Sequence, residues 1–189
     1  MSERREHWGR AITVVLLSGL FSAGSALGQD AAGIKAATAA CGPVKEKFAV
    51  SKQAGAMGAP EGTAEAAESG QARVVIAQPG NLVGFTSQTF RVGIDGAWAG
   101  AVAGSSWQAF TVVPGEHHVC VNWESHWKVL AEQYAMANLE AEAGKTYYLQ
   151  LTITGAQGAI TSFNLVPVDV DEGKYLMASL PGAVSHRSK

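Results

Sequence analysis

Nowhere in these 189 residues is there an apolar run long enough to cross a membrane. The longest, Ala11 to Phe21, spans about ten residues against the ~20 that a transmembrane helix needs, and Ser18 and Gly19 interrupt it. Charge is sparse too, with 14 basic and 16 acidic residues scattered along the chain. No Lys/Arg cluster exists to neutralise a phosphate backbone, which excludes nucleic acid as a partner. The sequence also lacks G-x-S-x-G, H-E-x-x-H and the P-loop pattern, so the usual hydrolase, zinc-protease and nucleotide-binding signatures are missing.

What is present first is an address. Arg4, Arg5 and Arg10 precede the apolar run, and small residues follow it up to Ala26-Leu27-Gly28. These are the parts of a secretory signal peptide, predicted over 1–28. The residues after Arg4-Arg5 do not support a twin-arginine route. Cys41 lies too far beyond the apolar run to serve as a lipid anchor, so the cleaved protein is expected to be periplasmic or extracellular, with no transmembrane span. Cleavage removes three basic and two acidic residues and leaves a net charge of −3. The remaining 161 residues suffice for one domain with a real core. Cys41 and Cys120 are the only cysteines. In an exported chain an even pair favours a disulfide, with two free thiols as the alternative.

The most informative stretch is Thr89 to Trp123. Phe90, Val92 and Ile94 alternate with Thr89, Arg91, Gly93 and Asp95, which puts one face on a core and leaves the other wet. Asp95-Gly96 and Pro114-Gly115 are turn signals. Strands are predicted at about 89–95, 97–103, 107–113 and 117–124. An apolar run at 72–78 reads as a central strand and Val44 to Lys52 as a first one. Strands at 136–142, 146–154 and 160–168 follow, with Tyr147, Leu149, Leu151 and Ile153 inward and Tyr148, Gln150 and Thr152 outward. Asp169 or Asp171 is placed to cap a short helix running to Leu180. Short strands with turns every 8 to 12 residues predict an all-β, Ig-like or transthyretin-like antiparallel β-sandwich of about 7–9 strands. The organisation expected is an N-terminal segment over 29–71, a sandwich domain over 72–180 and a disordered tail over 181–189. That segment holds one strand and, at 53–71, a flexible Gly-rich linker.

VGIDGAWAG, VVPGEHHVCVNW, LEAEAGKTYYLQL and VDEGKYLMASL together resemble the exported bacterial family called domain of unknown function 2846. The first half also resembles PEGA-type modules, small surface β domains with a similar D-G and P-G-x-H pattern. The resemblance covers roughly Ala72 to Ser179 and implies a β-sandwich with no catalytic residues to carry over.

The candidates for chemistry are few. His117, His118, Cys120 and His126 form the one cluster able to suggest a metal, and His118 and Cys120 at i and i+2 share a strand face. The bland reading places both histidines at a turn and Cys120 in a disulfide. Glu140/Glu142 and Asp169/Asp171 are explained by solvated charge or capping. Of four tryptophans beyond the signal, Trp123 belongs to the core pattern, whereas Trp98 and Trp127 lie near turns, where an exposed ring could bind a partner. The function expected is a non-catalytic exported module that binds an envelope component or protein, without a cofactor. The competing reading is a metal-binding or hydrolytic enzyme using His117, His118 and His126.

Overall fold

A computed structural model describes residues 41–42, 46–53, 70–80, 88–156 and 159–188. The signal segment and most of the expected linker lie outside the described residues. The strands are β1 (Phe48–Lys52), β2 (Ala72–Gln78), β3 (Thr89–Ile94), β4 (Ala97–Ala103), β5 (Ser106–Val112), β6 (Gly115–Glu124), β7 (Tyr134–Ala141), β8 (Thr146–Ala156), β9 (Ala159–Val168) and β10 (Ala183–Arg187). Helix α1 (Lys128–Ala131) is a single turn between β6 and β7, and α2 (Val170–Ser179) follows β9.

The all-β class is as predicted. Two four-stranded sheets, ordered β5-β2-β8-β9 and β4-β3-β6-β7, are joined by a two-stranded ribbon of β1 and β10. The four-stranded sheets bury one shared apolar cluster, drawn from Val74, Ile76, Leu149, Leu151 and Leu165 on one side and Phe90, Val92, Val119, Val121 and Trp123 on the other. Aromatic rings bind the two sheets across this layer: Phe90 lies 5.2 Å from Trp123 and 5.9 Å from Phe163, centroid to centroid. Such offset ring pairs add to the area they bury.

Four expectations need correction. The sheets are not wholly antiparallel, because β2 runs parallel to β8 with Arg73 opposite Thr146 and Ala77 opposite Gln150. The described residues form ten strands rather than 7–9: β1 falls within the expected first strand, and residues 183–187 add one that was not expected. Residues 183–187 are not a disordered tail: Phe48 pairs with Arg187 and Lys52 with Ala183 along an antiparallel ribbon. Short polar tails lack an apolar period, and only a partner strand supplied from more than a hundred residues away gives this one its ladder. The outer faces are not simply wet either. Arg91 is 4% exposed, and a Cβ placed on Gly93 would stand 2.2 Å from the Cys41 carbonyl oxygen.

The ribbon covers the outer face and edge of the β4-β3-β6-β7 sheet. Cys41, Phe48, Trp98, Ala101 and Cys120 form a second apolar cluster there, so Trp98 is core rather than partly exposed. Cys41 and Cys120 are disulfide-bonded with Cα atoms 5.3 Å apart, a separation ordinary for such bonds. Arg91 donates to the Glu46 carbonyl at 3.0 Å and sits 5.5 Å from the centroid of Trp98. Backbone groups of the edge strand β4 and of Gly104 just beyond it bond to the ribbon's side chains. Ser185 Oγ accepts from Ala101 N at 2.9 Å, Arg187 donates to the Trp98 carbonyl at 3.3 Å, and Lys52 Nζ donates to the Gly104 carbonyl. An exposed edge invites mispairing, and this one is closed by its own termini.

A third cluster lies behind the other sheet. Val75, Ala77 and Trp107 from the strands meet Leu176, Met177 and Leu180 from α2 and its end. Asp169, rather than Asp171, caps this helix, its Oδ1 accepting from Glu172 N at 2.8 Å. Trp107 Nε1 donates to the carbonyls of Met177 and Leu180, both at 3.1 Å, which satisfies backbone at the helix end.

Candidate functional site

Strand β6 carries most of the residues suspected of chemistry, and its geometry separates them. His117 stands at the start of the strand with its ring 7% exposed. Its Nδ1 is 2.6 Å from Asp95 Oδ2 and its Nε2 is 2.6 Å from the Val113 carbonyl. Asp95 Oδ1 accepts from the His118 backbone N–H at 2.9 Å. The Asp95-Gly96 turn, with φ of 52° and 83°, is thereby bonded to the neighbouring Pro114-Gly115 turn. Asp tolerates the left-handed conformation here and supplies the carboxylate as well.

This setting controls protonation. Burial pulls the His117 pKa down, but the Val113 carbonyl and the Asp95 carboxylate outweigh it, and the pKa is raised. Burial likewise pushes Asp95 up, yet its bonds to the His118 N–H and His117 ring win and lower it. With an acceptor beside each ring nitrogen, the site favours the imidazolium form of His117, which donates twice. In that form the ring has no lone pair to offer a metal or a proton.

The other suspected ligands are dispersed. His118 and Cys120 share the outer face, as the alternation predicts, but Cys120 is bonded to Cys41 and His118 is exposed. His126 lies beyond the opposite end of β6, its ring packed edge-on against Trp127 at 6.0 Å. At about 3.3 Å per residue that is more than ~20 Å from His117. Among the described residues no three His, Cys, Asp or Glu side chains gather to hold a metal. Glu142 pairs with Lys145 at 2.6 Å, and Glu140 and Asp171 are exposed. Trp127 is 59% exposed, unlike the buried Trp98, Trp107 and Trp123.

The structure instead displays a cleft that the sequence reading passed over. It measures about 320 Å³ and opens beside α2, lined by Arg73, Val75, Thr146, Tyr148, Lys174, Met177 and Ala178. Arg73 and Val75 are two apart on β2, and Thr146 and Tyr148 are two apart on the adjacent β8, so all four face the helix. Lys174, Met177 and Ala178 stand at i, i+3 and i+4 on one helical face. Burial raises the Tyr148 pKa against the opposing charge of Arg73, so the phenol stays neutral and able to donate at pH 7. Arg73 inside the apolar run ARVVIAQ and the 174/177/178 spacing were the available signals. Neither says that strand and helix face each other.

No family model, curated protein or solved structure matches this chain.

Proposed function

We propose that the protein is an exported, non-catalytic binding module of the cell envelope. The observation that carries this reading is the employment of its reactive side chains in architecture. His117 ties two turns together, Cys41 and Cys120 close the terminal ribbon, and Asp169 caps α2. The disulfide suits an oxidising compartment, and the signal-like N-terminus agrees with it. No described helix is long and apolar enough to cross a membrane. The finer frame is Ig-like or transthyretin-like, modified by the parallel β2–β8 pair and the ribbon. The turn motifs shared with the domain of unknown function 2846 and PEGA-type patterns support the same placement.

Two measurements test the reading. Fractionation of the native host with N-terminal sequencing is expected to find the protein outside the cytoplasm, starting near residue 29. Elemental analysis of that material is expected to find far less than one transition metal per chain. A cytoplasmic chain with its N-terminus intact overturns export. A stoichiometric metal lost on replacing His117 and His118 overturns the non-catalytic reading.

A further inference from the structure

We infer that β7 is a self-pairing edge, along which two copies of this chain join antiparallel about a two-fold axis at Asn138. The two β4-β3-β6-β7 sheets then form one continuous eight-stranded sheet. The pairing is independent of the proposed function and adds a partner to it.

The two four-stranded sheets have four edges, and three of them are obstructed. The ribbon's side chains bond to β4. On β5, the Trp107 N–H donates to the Pro181 carbonyl at 3.1 Å. Strand β9 carries Pro167, which has no N–H for a ladder, and its pairing with β8 shifts register at Thr154/Gly155. Such devices blunt the edges of β proteins. Strand β7 has none of them. Its register to β6 runs unbroken from Tyr134 to Ala141, without Pro, Lys or Arg. Among the described residues no strand pairs with its other side.

The backbone of β7 is set for a second ladder. The Trp123 N–H donates to the Gln133 carbonyl at 3.4 Å. Antiparallel bonding alternates, so odd-numbered residues of β7 bond to β6 while Met136, Asn138 and Glu140 turn N–H and C=O outward. The same three side chains are exposed, Met136 by 42%. On the inner side Ala137 and Leu139 form a half-buried rim of the main core.

The strand is complementary to itself. Centred on Asn138, the pairing sets Ala137 against the partner's Leu139, which carries the main core across the axis. On the outer side Met136 meets the partner's Glu140, and the two Asn138 amides can each donate and accept. About six backbone hydrogen bonds form between the strands. Charge disfavours other centres, because Glu140 already stands opposite Glu116 on β6. Centring on Glu140 would oppose it to the partner's Glu140, and centring on Met136 would oppose it to the partner's Glu132. A foreign peptide would supply a ladder without this match of rim and amide. The outer ends of the joined sheet are the two β4 strands, both closed by ribbons, so assembly stops at two chains.

The experiment uses the protein purified from its native host with the disulfide intact, in sedimentation velocity from about 1 to about 500 µM. Pairing over residues 135–141 makes a small interface, so a Kd of about 10–100 µM is expected. Hydrogen exchange of the Met136, Asn138 and Glu140 amides should slow as the dimer forms. Asn138→Asp should weaken the dimer roughly tenfold at low salt, through the lost amide pair and the new repulsion on the axis. Salt should restore part of that loss. The residue is exposed, so the melting temperature of dilute protein should stay close to the parent's. Met136→Lys, facing the partner's Glu140, should tighten the dimer severalfold.

A monomer throughout the concentration range overturns the inference. So does a dimer indifferent to Asn138→Asp, or one whose protection falls on β5 or β9. Weakening by Met136→Lys overturns the Asn138-centred register. If the three amides stay protected at every dilution, the edge is already occupied by another segment, and the second copy is overturned.

Discussion

His117, a candidate for chemistry in the sequence, is bonded in the fold to Asp95 and to the Val113 carbonyl. Its two acceptors predict a definite pH dependence. The folded pKa lies above the ordinary 6.5, so its contribution to stability is full below pH 6.5 and is lost as pH rises through the raised value. Asp95 lies below its ordinary 3.8, so its contribution is full above that pH and is lost as pH falls through the lowered value. Thermal unfolding should therefore show greatest stability from the pair between about pH 4 and 6.5, with a decline as pH rises through the raised His117 value. Asp95→Asn keeps a residue that accepts the left-handed turn but removes the charge. Its melting temperature should fall at pH 6 and depend less on pH above it. A parent-like pH profile in that variant would show that the pair is not coupled. The side chain of Asp95 is 45% exposed, so solvent screens the pair and the shift should be modest.

At the scale of elements, Gly173 is the telling case. Glycine inside a helix costs about 1 kcal/mol relative to alanine, and an exposed-helix argument would expect Gly173→Ala to stabilise. The added Cβ meets Cγ of Tyr148 at 2.1 Å, and a ring in a packed layer cannot withdraw cheaply. Gly173→Ala is expected to destabilise by about 1–3 kcal/mol in chemical unfolding. In the background of Tyr148→Ala the same change should become neutral or stabilising. A stabilising effect in the parent would mean that α2 sits further from the sheet. The ribbon strand β10 makes a similar case. Deleting residues 183–189 removes the β1 ladder and uncovers Phe48 and Ala101, and should cost on the order of 2–4 kcal/mol, where a disordered tail would cost nothing.

For the whole molecule, the disulfide decides whether the termini belong to the fold. Cys41 and Cys120 are 79 residues apart, and closing such a loop stabilises by about 4–5 kcal/mol on the chain-entropy account. The bond holds Cys41 against Gly93 and, through β1, holds β10. The double change Cys41→Ser, Cys120→Ser should lower stability by several kcal/mol. Amide exchange should rise in 48–52 and 183–187 together, while β2, β3, β6 and β8 remain protected. Release of β1 without β10 would contradict the ribbon as one unit. Because the ribbon also closes the β4 edge, the reduced protein should aggregate more readily.

Strand periods, turn dipeptides and the helix cap were legible from sequence, because each depends on residues within about ten positions of one another. Phe90, Val92, Leu149 and Leu151 declared their inward faces by alternation alone, and the Asp169/Asp171 pair announced α2, with the structure choosing Asp169 as its cap. The disulfide was also legible, since compartment and parity sufficed to favour it. Alternation states that a face is polar or apolar, but it cannot state what covers it. Arg91, Gly93 and Trp98 are buried only because the two chain ends meet over them, and Tyr148 is half-buried because α2 returns across its sheet. The parallel β2–β8 pair, which brings Arg73 beside Thr146, joins segments some seventy residues apart and leaves no local trace. Tertiary structure alone therefore dispersed the histidines of β6 and assembled the cleft, since both outcomes depend on distances through space that local spacing does not contain.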